Sequence, residues 1–361
     1  MKKKIAIRCA MIFACLLWTA VSPAQKFLWD VDFAGFFDNR EYGYKGVIPQ
    51  TIFATRLAPE VGLALSDDTL HTIMGGVNWI QPIGTKSKEA KFVPTVYYRY
   101  RGDRFRMSFG FFPRTQLIEN APSYLQYDSL TYFRPNIQGA LFQYVAPKGF
   151  VEMYVDWRRM QTNTDREAFM VAGNGRWQPV SLFFMGGRAV MNHLARARKS
   201  PESETVTDDI IFNPYVGLDL SCRTGLDSLT LKCGYLLSLE RRRGTDDGWK
   251  RPQGILIDLL AEWRFLGLKN TFYHGGVQMP YYEQFGTLLN QGDPFFQSRT
   301  YNRTDVYAYI FRNGFVNCMA SLNLHYTPGY LDFQQQLIVR VNIGNYGNKD
   351  RRKGKYLKNI L

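Results

Sequence analysis

Apolar and polar residues alternate along most of this chain. From Phe27 to Phe37 the odd positions are Phe27, Trp29, Val31, Phe33, Gly35 and Phe37, with Asp30 and Asp32 between them. Strand side chains point to opposite faces with a period of two, so this stretch predicts a strand with one apolar and one polar face. The pattern recurs: Phe53, Leu57, Val61 and Leu63 oppose Arg56 and Glu60, and Val151, Met153, Val155 and Trp157 oppose Glu152, Asp156 and Arg158. A last hairpin sets Val316, Ala320, Leu322 and Leu324 beside Leu337, Val339, Val341 and Ile343. Such segments number about sixteen, each of about ten residues, the length a tilted strand needs to cross a bilayer. Gln253 to Phe265 is the most ambiguous of them, since Ile255, Leu256, Leu259, Leu260 and Trp263 also fit a helical stripe.

The connections fall into two kinds. Ser66–Thr69, Gly102–Asp103, Ala146–Gly149, Gly173–Gly175, the turn around Gly225, Gly267–Lys269 and Arg312–Gly314 read as short turns. Longer polar links lie between them, over 38–46, 83–91, 112–136, 159–166, 194–209, 241–252 and 279–300. Short and long links in alternation are the mark of outer-membrane barrels, whose periplasmic turns are short and outer loops long. A soluble sandwich has no reason to keep every second loop long. Both chain ends are then expected on the periplasmic side.

One stretch breaks the alternation at length. FPRTQLIENAPSYLQYDSLTYFRPN, Phe112 to Asn136, carries Arg114, Glu119, Asp128 and Arg134 among Tyr, Phe and Leu. Loops longer than about 12 to 15 residues are uncommon unless functional or disordered, and this one is too apolar for a disordered segment. It reads as an ordered loop folded into the mouth of a barrel.

The amino terminus has a different character. Lys2, Lys3 and Lys4 precede an apolar run to Val21, followed by Ser22-Pro23-Ala24. That is the layout of a cleaved export signal over residues 1–24. Its removal takes four cations, Lys2, Lys3, Lys4 and Arg8, so the net charge of +14 falls to +10. Much of the excess lies in a basic tail, residues 347–361, suited to anionic headgroups or to solvent. An exported chain seldom meets nucleic acid, which is excluded as a partner. Cys222, Cys233 and Cys318 remain, an odd number that argues against a disulfide framework and leaves open a Cys222–Cys233 pair across the turn. No spacing of His and Cys suggests a metal site, and no cofactor is called for.

With Phe37-Asp38-Asn39-Arg40-Glu41, Arg56-Leu57-Ala58-Pro59-Glu60 and Phe112-Pro113-Arg114, the sequence resembles porin-like outer-membrane barrels, including those of Bacteroidota. The resemblance covers most of residues 25–346 and implies an all-β transmembrane antiparallel barrel of about sixteen strands. It implies, further, that the third outer loop folds inward as a constriction, with acidic groups facing a basic wall. Trimers are common among porins, so a homo-oligomer is compatible with it. Such barrels usually close their last strand on an aromatic residue, whereas this chain continues past Tyr346 to Leu361.

On this basis the lumen wall is expected to carry Arg56, Glu60, Arg99, Arg106, Asp156, Arg158, Arg264 and Arg340, and the constriction Arg114, Glu119, Asp128 and Arg134. Arginine suits a filter because its planar fork keeps its charge and binds carboxylates or phosphates bidentately. The same charges could instead pair and plug the lumen, Arg56 with Glu60 or Asp156 with Arg158. Trp79, Tyr97, Tyr124, Tyr127, Tyr132 and Trp157 offer faces for a sugar, although Trp79 and Trp157 fit an interface girdle better. The expected function is passive or substrate-selective diffusion of small hydrophilic solutes, with lipid and lipopolysaccharide as surroundings. A closed barrel docking to an envelope complex through loops such as Met279–Thr300 is the alternative. A lipid hydrolase built on Ser321 and His325 is disfavoured: four strand residues separate them by roughly 13 Å and both face the lumen. The chain is therefore expected not to be an enzyme.

Overall fold

A computed structural model describes residues 25–65, 69–221 and 223–346. The expected signal segment, most of the Ser66–Thr69 turn, Cys222 and the basic tail lie outside the described residues. The first eight strands are β1 Lys26–Glu41, β2 Gln50–Ala64, β3 His71–Pro82, β4 Lys91–Arg101, β5 Phe105–Pro113, β6 Asn136–Ala146, β7 Gly149–Arg159 and β8 Ala168–Trp177. The second eight are β9 Phe183–Leu194, β10 Thr207–Asp219, β11 Ser228–Arg242, β12 Gln253–Trp263, β13 Leu266–Gly275, β14 Thr300–Arg312, β15 Val316–Thr327 and β16 Tyr330–Gly344. Each pairs antiparallel with its neighbour in sequence, and β1 pairs with β16 to close the barrel. Closure matters because an open sheet edge in lipid would strand its N–H and C=O groups.

The period of two sorts the side chains as the sequence predicts. Phe27, Phe109 and Val151 point outward and are 57%, 66% and 60% exposed, as suits a lipid-facing wall. Asp32, Glu60, Glu152 and Asp156, on the opposite face of their strands, are buried. The ambiguous segment is strand β12 from Gln253 to Trp263, paired along both edges. The closing register runs Asp30 to Gly344, Phe36 to Ile338 and Glu41 to Phe333. Beyond β16, the Asn345 side chain accepts from the Trp29 amide at 2.8 Å and donates to the Phe27 carbonyl at 3.0 Å, and the Tyr346 amide donates to the Trp29 carbonyl at 3.3 Å, which together fix the end of the last strand.

Two expected turns are strand instead. Gly173–Gly175 lies within β8, and the chain turns at 178–182, where Pro179 has no amide to give to the ladder. Gly267–Lys269 lies within β13, and the turn is Arg264-Phe265. Gly267 is not there to bend the chain: a Cβ at that position would stand 2.1 Å from the Tyr307 ring. Arg264, expected on the lumen wall, consequently sits in this exposed turn with a positive φ of 53° and lies over the Trp263 ring.

Candidate functional site

Loop 3, residues 114–135, leaves the wall after β5 and returns into β6. At its base Gly110 and Gly139 are cross-strand partners, both at positive φ, and a Cβ on either would meet a neighbouring carbonyl oxygen at 2.3 Å. Glycine therefore permits the close strand approach from which the loop departs. The loop folds inward and touches walls on opposite sides of the barrel. On the near side Arg114 binds Asp156 at 2.5 Å and donates to the Arg134 carbonyl at 2.8 Å, and the Ile118 amide donates to Glu152 at 2.8 Å. Further round, Glu119 pairs with Arg188 of β9 at 2.7 Å, and the Tyr124 hydroxyl donates to Asn213 of β10 at 3.0 Å. On the far side Asp128 pairs with Arg303 of β14 at 2.8 Å. There too the Tyr132 hydroxyl accepts from Gln336 at 2.9 Å, and its ring stacks on Phe36 at 4.5 Å.

A second inserted segment meets loop 3 inside the barrel. Loop 7, residues 276–299, was named as a loop through which a closed barrel could dock to partners, but its Leu289, Phe295 and Phe296 are at most 1% exposed. Phe295 stacks on Tyr301 and His325 at ring separations of 5.2 and 4.6 Å. The two loops are joined through their backbones: the Tyr127 amide donates to the Gln291 carbonyl and the Asp293 amide to the Ser123 carbonyl, both at 2.8 Å. Arg158 reaches from β7 to the Leu289 carbonyl at 3.2 Å, and Arg134 donates to the Arg158 carbonyl at 3.5 Å. The pairing is between loop and wall, between neighbouring strands, or along one strand, as with Arg303 and Asp305 of β14. Arg56 binds Asp32 at 2.9 Å, and so does Arg340, at 2.5 Å.

Asp293 makes this seam sensitive to pH. Burial and the nearby Asp128 carboxylate raise its pKa to about 6, against the opposing pull of Arg303, the Phe295 amide and Arg40. Asp128 itself is held ionised, its pKa lowered by Arg303 despite burial. A carboxyl whose folded pKa is raised stabilises the packed state at low pH and loses that contribution as pH climbs through the raised value. The seam should therefore be tighter at pH 5 than at pH 7.5. Measured as openings in planar bilayers, wild type should open less often at pH 5, and Asp293→Asn should abolish the difference.

Beneath loop 3 lies a cavity of about 310 Å³, bounded by wall residues Arg56, Glu60, Arg99, Arg106 and Arg340 and roofed by the loop. Its charged lining counts eight cations and five carboxylates. Arg188 and Arg303, the wall partners of the loop's two acids, were missed in the sequence. The alternation that would expose Arg188 is blurred by Gly186 and Gly187, and Arg303 follows immediately on a long loop.

Ser321 and His325 do not meet. Ser321 contacts Gln336 at 3.3 Å, while His325 contacts Tyr301 at 2.8 Å and Gln334 at 3.2 Å. A different histidine faces outward. His193 Nδ1 lies 2.9 Å from Asp208, which also receives Arg243 at 2.6 Å and has Arg241 at 3.6 Å. Phe169 and Trp157 continue the row, with ring separations of 4.8 and 4.9 Å. These residues occupy the outer ends of β7 to β11, opposite in parity to the lumen-facing Asn192 and Asp209.

A closed sixteen-stranded antiparallel barrel with an apolar exterior and a charged interior is a porin-like β-barrel of the outer-membrane type. The model of the lipid A 3'-O-deacylase-type family matches residues 20–346, and the chain belongs to that family. This overturns the expectation that the protein is not an enzyme: the family is one of deacylases. No curated protein matches the chain. Similar solved structures include OccK11 (OpdR) of Pseudomonas aeruginosa, with TM-score 0.50 and 9% identity over 89% of this chain and 96% of that one. A loop-deletion mutant of OmpT, an outer membrane protein of Vibrio cholerae, gives 0.50 and 11% over 89% and 100%. At these identities the likeness is one of fold.

Proposed function

We propose that this barrel is a solute-selective channel of a bacterial outer membrane, with loops 3 and 7 setting its outer mouth and the arginine-rich cavity filtering small hydrophilic solutes. The observation that carries this reading is the crossing of the lumen by loop 3, from Asp156 on β7 to Arg303 on β14, above a charged cavity. Barrels of sixteen strands are wide enough for an aqueous path. Where that path narrows, rings and clusters of charged side chains decide which solutes pass. In planar bilayers the purified protein should give discrete current steps. A closed docking barrel would give none at any voltage.

Family membership and the outward cluster favour a second activity on a different surface, hydrolysis of an acyl ester of lipid A or a similar glycolipid. Asp208 would hold the His193 ring, leaving Nε2 to take a proton from water as it attacks the ester carbonyl. Arg241 and Arg243 would face the anionic headgroup. His193→Ala should lower fatty-acid release from lipid A in mixed micelles at least a hundredfold and leave conductance unchanged. Wild-type protein that releases no fatty acid disposes of this reading and leaves the channel untouched.

A further inference from the structure

Two side chains that line the cavity beneath loop 3 carry a buried carbonyl oxygen with no hydrogen-bond partner among the described residues: Asn136 at the start of β6 and Asn323 of β15. Both side chains are more than nine-tenths buried, at 4% and 1% exposure. Their amides are held in one orientation by the wall behind them. The Asp38 carboxylate can only accept, so Gln334 and Gln336 give it their N–H groups, at 2.8 and 3.4 Å. Their oxygens therefore face Asn323, which donates to both, at 3.0 and 2.9 Å, and its own oxygen is left over. Asn136 is pinned in the same way, donating to the Pro94 carbonyl at 2.9 Å and to the Thr95 hydroxyl at 2.8 Å. Flipping either amide would set oxygen against oxygen. Leaving a buried acceptor unmatched is costly. The same cavity also has buried donors without a partner, the Nε groups of Arg56 and Arg106.

We propose that this cavity binds a small uncharged sugar or polyol, and hence that the solute this channel selects is neutral and rich in hydroxyls. The mixture of unmatched groups carries the assignment. An oxyanion only accepts, so it would suit the arginines and repel the two oxygens. An ammonium ion only donates, so it would suit the oxygens and repel the arginines. A hydroxyl donates one hydrogen and accepts on its lone pairs, and a ring of hydroxyls can meet both kinds. Several of the charges around the cavity are held within the wall and its loop: Asp32 binds Arg56 and Arg340, and Arg303 binds Asp128 and Asp305. Loop 3 links the two asparagines, since Tyr132, four residues before Asn136, accepts from Gln336 at 2.9 Å. Tyr97 and Tyr127 line the cavity beside it and bring the aromatic surface that small-ligand sites combine with a few placed polar groups. A volume of about 310 Å³ is at the lower end of such sites, which suits a mono- or disaccharide. The cavity lies inside the barrel wall, so the sugar of a glycolipid anchored in the surrounding bilayer is not its ligand. The proposal deepens the channel reading and rests on it for solute access, while binding itself is read without current.

The test uses protein purified in a detergent without a sugar headgroup, shown to be folded by heat-modifiable migration and titrated calorimetrically with glucose, maltose, inorganic phosphate and choline in separate runs. Wild type should bind at least one of the two sugars, and more tightly than either ion. Asn136→Leu and Asn323→Leu should each weaken sugar binding at least tenfold, with the alanine variant taking the place of any leucine variant that does not fold. Lys88→Ala on an exposed outer loop should leave binding unchanged. Phosphate or choline bound more tightly than both sugars would overturn the solute class. Folded wild type that binds neither sugar, or asparagine variants that bind as wild type does, would overturn the site itself. Sugar binding without conductance would refute the channel and leave the site standing, and conductance without sugar binding would do the reverse.

Discussion

Replacing Arg303 by alanine is expected to raise the barrel's conductance at least threefold. Arg303 is 8% exposed and serves two carboxylates, Asp128 of loop 3 at 2.8 Å and Asp305 of its own strand at 2.7 Å. Its removal leaves both acids in a confined space without their cation, and breaking a buried pair from one side costs about 3 to 5 kcal/mol. The wall strand cannot move away, because its backbone is bonded on both edges. The loop can, so the far anchor is the part that yields. Arg303→Lys should behave differently from alanine, keeping the charge while losing the second arm of the fork. Single-channel recording in planar bilayers reads both variants directly.

Phe295→Ala is expected to act on the same mouth from the other loop. Its ring is 1% exposed and packs against Tyr42, Tyr44, Tyr301 and His325. Removing a buried aromatic of this kind costs about 3 to 5 kcal/mol. Here the loss should appear as unseating of loop 7, since the barrel wall does not depend on that ring for its hydrogen bonds. Loop 3 would then lose the backbone bonds from Tyr127 to Gln291 and from Asp293 to Ser123. The measurement is limited proteolysis of the folded protein in detergent. Cleavage within 276–299 should be at least tenfold faster than in wild type, with the heat-modifiable migration of the barrel preserved.

The strands were legible because lipid outside and charge inside impose a strict period of two on the sequence, as between Phe27 and Phe37. Turns were less legible where glycine serves another end. Gly267 makes room for Tyr307, and the glycines near 173–175 sit in paired strand. Loop 3 stood out by its length, but the partners of Arg114, Glu119, Asp128 and Arg134 could not be read. Asp128 and Arg303 are 175 positions apart, and no local spacing links them. The burial of Phe295 and Phe296 in loop 7 could not be read, because they are ordinary loop residues in sequence and become core only where Tyr42, Tyr44, Tyr124, Tyr301 and His325 converge on them. The outward pair of His193 and Asp208 was missed for a related reason: it forms across two strands joined by the link 195–206.

The proposed channel depends on loop 3 spanning and narrowing the lumen. The most direct measurement compares single-channel conductance of wild type with a variant in which residues 117–132 are replaced by a short Gly-Ser linker, both confirmed as folded barrels. Wild type should give small, discrete steps and the variant steps several-fold larger. The absence of steps in both, or equal conductance in the two, would contradict it.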